Sequence, residues 1–89
     1  MAESSSQVQI VIVTPEKAVL NSTVDFIVLP MIDGELGVLP KHAPLIGRLG
    51  SGELRLTTRG SIQKWKIQGG FAQIRSDVVT VLTGQASPI

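Results

Sequence analysis

Residues 33 to 56 read DGELGVLPKHAPLIGRLGSGELRL and hold the chain's single histidine, His42, with two of its four glutamates, Glu35 and Glu53. A histidine near Asp33 and Glu35 could do general acid–base work, which requires the groups to converge in one pocket. Nucleophilic catalysis would need a base beside an activated serine or cysteine. The chain has no cysteine and no G-x-S-x-G nucleophile turn. Set among Pro40, Lys41 and Ala43, His42 reads as a loop residue used for structure or contact rather than for catalysis. Asp33 and Glu35 lack the spaced oxygen ligands and closing glutamate of a calcium loop, so no metal is expected. The glycines of GRLGSG, residues 47–52, would cradle a pyrophosphate only if a helix followed. The following ELRLTT alternates like a strand, so these glycines serve turns instead, and no cofactor is expected.

The elements that must position these residues are short strands. VQIVIV at 8–13 stops at Thr14-Pro15, because proline cannot donate to a sheet ladder. KAVL at 17–20 is bounded by Asn21-Ser22, and TVDFIVL at 23–29 alternates until Pro30. ELGVLP and PLIGRLG are extended pieces flanking a loop at 41–44, and GELRLTT places Leu54 and Leu56 on one face. In IQKWKI, Trp65 and Ile67 alternate with Lys64 and Lys66, which turns the tryptophan inward. FAQIR and VVTVLTG form a hairpin around Ser76-Asp77. No window shows a helical period. The pattern predicts an all-β chain, a small two-sheet β-sandwich or flattened barrel of about ten short strands. The expected core is Val11, Phe26, Val28, Leu39, Leu54, Leu56, Trp65, Ile67, Ile74, Val79 and Val81.

Composition agrees with that class. At 89 residues the chain is one domain, of a size that buries only about 60% of its unfolded surface. Apolar residues make up 43% and aromatics 3%, with Val, Ile and Leu dominant, and the lack of cysteine excludes disulfides. A net charge of +1 without a basic cluster argues against nucleic acid. The opening MAESSSQ, residues 1–7, reads as a disordered tail rather than a signal peptide, residues 8–86 as the domain and 87–89 as its end. No apolar run approaches the ~20 residues of a membrane helix. Asn21-Ser22-Thr23 matches a glycosylation sequon but has no secretory signal to accompany it.

The central stretch, followed by GGFAQIRSDVVTVLTGQA and preceded by VTPEKAVLNSTVDFIVLP, resembles the N-terminal domain of the epsilon subunit of bacterial F-type ATP synthases, called delta in mitochondria. The resemblance spans residues 8 to 86, and its most specific part is the acidic-Gly-Glu-Leu-Gly-x-x-Pro-x-His-Ala-Pro-Leu pattern. It implies a ten-stranded β-sandwich on the central-stalk rotor, noncatalytic by itself, joining the gamma subunit to the polar loops of the membrane c-ring and so supporting proton-driven ATP synthesis. It implies a peripheral place on the cytoplasmic face of the bacterial inner membrane, reached only through the complex. Glu35 and His42 would face the c-ring. Ile46, Glu53, Lys64 and Lys66 would face gamma, although the two lysines make that face more polar than an interface core usually is. Most bacterial members continue into two helices, whereas this sequence stops at Ile89, so a C-terminal helical hairpin, an inhibitory arm and a nucleotide site are not expected. Two other classes compete: a free-standing β-sandwich module binding a peptide or small ligand, and a small hydrolase using His42 with Asp33 or Glu35.

Overall fold

The computed structural model describes residues 7–89; the tail expected at the N-terminus falls, apart from Gln7, outside the described residues. Eight strands follow in order: β1 (Val8–Val13), β2 (Ala18–Val24), β3 (Phe26–Met31), β4 (Gly34–Val38), β5 (Leu45–Thr58), β6 (Ser61–Arg75), β7 (Val78–Leu82) and β8 (Ala86–Pro88). They hydrogen-bond in the order β2-β1-β7-β6-β5-β3-β4, with β8 on β6. Strands β5 and β6 are 14 and 15 residues long and pair along their whole length in one register, with Gly50 and Gly69 facing each other at the single unpaired position. All eight strands belong to one continuous sheet, where two sheets of about ten strands were expected; the inward parity of β5 and β6 switches across these glycines, so each long strand serves both layers of the folded-over sheet.

One layer therefore comprises β2, β1, β7, the second half of β6 and the first half of β5. The other comprises β4, β3, the second half of β5, the first half of β6, and β8. The bend depends on glycine. Gly69 and Gly70 both have positive φ, at 64° and 109°, a conformation that costs side-chain-bearing residues steric energy.

The core lies between the layers. Ile10, Ile12, Val79 and Val81 from one side meet Ile27, Leu29, Leu54, Leu56 and Ile67 from the other, all in one buried cluster. Burying such side chains contributes about 1.5–3 kcal/mol each. Trp65 joins them at 6% exposure. Its indole N–H has no hydrogen-bond partner among the described residues, so its contribution comes from apolar area and is reduced by the stranded donor.

Four expected core residues are corrected. Val11, Phe26 and Val28 are only half-buried and point outward, and Leu39 is 59% exposed. In β1 the inward positions are Val8, Ile10 and Ile12, and the strand VQIVIV is apolar on both faces, so alternation alone could not orient it. In β3 the error comes from parity carried across a break. Asn21-Ser22 is not a turn but lies inside β2; the chain breaks instead at Asp25, and Ile27 and Leu29 take the inward places. Phe26 packs on the outer surface over Gly37, where an added Cβ would lie 3.1 Å from its ring. Val38 fills the core site expected for Leu39.

Asp25 breaks the strand because its polar atoms are used locally. Its N–H donates to Thr57 O at 2.8 Å, and its carboxylate accepts the Arg59 N–H at 2.8 Å and the Gln7 amide at 3.3 Å. The Arg59 bond fixes the β5–β6 turn, where Arg59 and Gly60 both have positive φ. That bond, then the Gln7 bond, holds the Asp25 carboxyl below the usual aspartate range. A depressed folded pKa stabilises the fold above the unfolded value of about 3.9 and is lost as pH falls through the lower folded value. Denaturant midpoints measured at pH 7 and pH 3 should therefore fall less in Asp25→Asn than in the parent, and an equal fall would mean that this carboxylate is not stabilised by its contacts.

Candidate functional site

The loop containing His42 is pinned from across the chain. Lys41, with φ of 66°, donates its N–H to the Asp77 carboxylate at 2.6 Å, and the Asp77 carbonyl accepts the Gln9 N–H at 2.9 Å. Ser76 and Asp77 both have positive φ, as a tight two-residue hairpin turn requires. The half-buried His42 lies 2.7 Å through Nδ1 from the Ala43 carbonyl, so that nitrogen carries the proton. No serine, aspartate or glutamate bonds the imidazole among the described residues, and no three His, Cys, Asp or Glu side chains there converge on a metal position.

Glu35 stands elsewhere. It is the second residue of β4 and pairs with Pro30, whereas His42 lies four residues beyond the end of that strand. The stretch from Glu35 to Val38 alone spans ~10 Å of extended chain. Among the described residues His42 bonds neither Asp33 nor Glu35, so the pairing that a hydrolase would use is not formed. Glu35 is instead bonded to Arg55 through both oxygens at 3.2 Å, and Arg55 also reaches Glu53 at 3.2 Å. The Glu35 bond, followed by that to Glu53, pushes the guanidinium pKa up.

The four residues expected to face gamma are divided between two surfaces. Glu53 pairs with Lys66 and its neighbour Arg55 with Lys64, so three of them share the outer face of the β3–β4 layer with Glu35. That face is charged, and its carboxylates are already engaged. Ile46 lies before the bend in β5, on the outer face of the other layer, directly across from Gln73.

Around Ile46 the surface is different in kind. Ile46 is 73% exposed, Phe71 52% and Leu82 51%. Phe71 and Leu82 are cross-strand partners, and Val13 and Val11 continue the same face on β1. Beside it the β3–β4 turn, tied by Ile32 N–H to Arg48 O at 2.9 Å, brings the exposed Ile32 against β5 and closes a cleft of about 510 Å³. Sequence reasoning missed Phe71 and Leu82. The available signal was apolar residues on both faces of VQIVIV and at the outward positions Phe71, Val78 and Leu82 of FAQIR and VVTVL, which a strand covered on one side only does not need. A contiguous apolar patch on the outside of a small domain marks a surface that another chain covers.

The fold and this surface define an all-β binding domain with a charged back and an apolar front. The sequence matches the family model for the ATP synthase delta/epsilon chain β-sandwich domain over residues 7–89. The chain belongs to that family. It is 52% identical over 82 residues to the ATP synthase epsilon chain of Rhodopirellula baltica, a match covering 92% of this chain and 64% of the relative. With the epsilon chain of Carboxydothermus hydrogenoformans it shares 43% identity over 82 residues, covering 92% and 61%. The chain thus spans less than two thirds of these relatives. Among solved structures, a chain of the Euglena gracilis mitochondrial ATP synthase, in an OSCP/F1/c-ring assembly, superposes with a TM-score of 0.87 at 28% identity, covering 93% of this chain and 54% of that one. A chain of the Tetrahymena thermophila mitochondrial ATP synthase central stalk and c-ring shares the fold, with a TM-score of 0.72 at 15% identity.

Proposed function

We propose that this domain is a noncatalytic component of the F-type ATP synthase rotor, binding the gamma subunit and the c-ring and supporting proton-driven ATP synthesis by holding that joint. The observation that carries the reading is the exposed apolar face of Ile46, Phe71 and Leu82, on a domain of the delta/epsilon family. Gamma covers this face. Ile46 therefore keeps the gamma-facing role that the sequence suggests, while Phe71 and Leu82 join it. Glu53, Lys64 and Lys66, on the opposite surface, would supply a secondary, polar contact to gamma.

Glu35 and the Ile32–Asp33 turn are the contact toward the polar loops of the c-ring. His42, in the loop after β4, is proposed as a second contact to the c-ring, tested separately from Glu35. In a bacterial cell the domain would sit at the cytoplasmic face of the inner membrane, held there by the complex. A direct test is capture of purified gamma subunit by this chain: a stable one-to-one complex is expected, and failure to retain gamma at micromolar concentrations would remove the reading. Under the competing reading of a free-standing ligand module the chain would remain alone in that experiment.

A further inference from the structure

We infer that the apolar face selects a partner surface that carries carboxylates, with Arg48 and Arg75 as the two residues that read them; this rests on the proposed binding of gamma and specifies its chemistry. Arg48 on β5 lies across from Phe71, and Arg75 on β6 lies across from Val78. Both side chains point out of the same layer as Ile46, Phe71 and Leu82. They are the only charged residues on the outward positions of β1, β2, β7 and the adjoining halves of β5 and β6. The remainder of that surface is apolar or neutral, as with Gln9, Thr80 and Gln73.

Neither arginine forms an ion pair among the described residues, where Arg55 alone is paired, on the opposite face. The border carboxylates do not reach them. Asp77 is occupied by the Lys41 N–H, Asp33 shares the cleft with Arg48 without bonding it, and Glu16 lies in the β1–β2 turn.

Covering this face would strip water from two guanidinium groups, which is costly unless the partner pairs them. Arginine's planar fork donates two parallel hydrogen bonds to a carboxylate, which fixes orientation as well as charge. Phe71 and Arg75 are four residues apart on one strand, so the two cations flank the apolar centre at a separation of about 13 Å. The partner is therefore an apolar surface bordered by two acidic side chains at similar spacing. An apolar surface without them would leave both charges unpaired.

The test measures affinity of the full chain for purified gamma at low and high salt. Arg48→Glu combined with Arg75→Glu should weaken binding at least about tenfold at low salt and flatten its salt dependence, while the paired Gln variant should lie between it and the parent. Both side chains are at the surface, and unchanged denaturant midpoints would show that the variants fold. Ile46→Asp provides the comparison arm. If Ile46→Asp abolishes binding while the double Glu variant binds like the parent at every salt concentration, gamma binding stands and the acidic-partner inference falls. If both variants bind like the parent, gamma sits on another surface, and the assignment of this face to gamma falls together with the acidic-partner inference.

Discussion

The Gly70→Ala variant is expected to be the least stable single-methyl change in this domain. Gly70 has a φ of 109°, and a Cβ there would overlap the carbonyl oxygen of Leu82, with Thr83 Cα also within 2.8 Å. Backbone atoms of a paired strand cannot turn aside as the end of a flexible side chain can. The strained conformation costs about 1–3 kcal/mol and overpacking of this kind a further 1–3 kcal/mol. Their sum, about 2–6 kcal/mol, is a large share of the 5–15 kcal/mol typical of a whole domain. Gly69→Ala separates the two causes. Its φ of 64° is also positive, but nothing lies within 4 Å of its added methyl, so only the conformational part of about 1–2 kcal/mol should remain. Urea denaturation of both variants checks this. Equal midpoints would show that contact with β7 contributes nothing and that the bend has relaxed.

The second large effect is on assembly. Ile46→Asp and Phe71→Asp each place a carboxylate on the apolar face without touching the core, since both side chains point outward. Residues at the centre of an interface cost about 2 kcal/mol or more when removed, roughly thirtyfold in affinity. A charge buried without a partner costs more than a truncation does. Binding of gamma should therefore fall at least thirtyfold in either variant, with thermal unfolding of the isolated chain close to that of the parent. Retained affinity in both would place gamma on another surface. A comparable substitution on the charged back, Lys64→Asp, should do far less, because exposed polar contacts are individually weak.

The two faces also show where the sequence was readable. Leu54, Leu56, Trp65 and Ile67 alternate with Arg55, Lys64 and Lys66, and the structure buries the first set and turns the second outward, Lys64 and Lys66 exposed and Arg55 half-buried. There one face is solvated, so polarity tells inside from outside. VQIVIV offers no such contrast. Val11 and Val13 are apolar because they continue the front face, and Ile10 and Ile12 are apolar because they fill the core. The ambiguity that misdirected Val11 thus has the same physical origin as the patch that sequence reasoning overlooked. In β3 the obstacle was Asp25, whose bonds to Arg59 and Gln7 depend on residues distant in sequence. The separation of Ile46 from Glu53 is likewise invisible without the bend at Gly50, which carries one strand from front to back. The motif around Glu35 and His42 was legible as loop and strand, but not the partners its residues take, since Glu35 bonds Arg55 from a distant strand and His42 the neighbouring Ala43 carbonyl.

Cysteine crosslinking in an assembled synthase tests the central claim most directly. Single cysteines at positions 46 and 35 of this chain, in a background without other reactive thiols, would be paired with cysteines introduced along gamma and in the polar loop of the c subunit. The cysteine at 46 should crosslink to gamma and not to the c subunit, and that at 35 to the c subunit. A domain that crosslinks to neither while present in the complex, or whose front-face cysteine stays freely reactive to a water-soluble thiol reagent after assembly, would contradict the account.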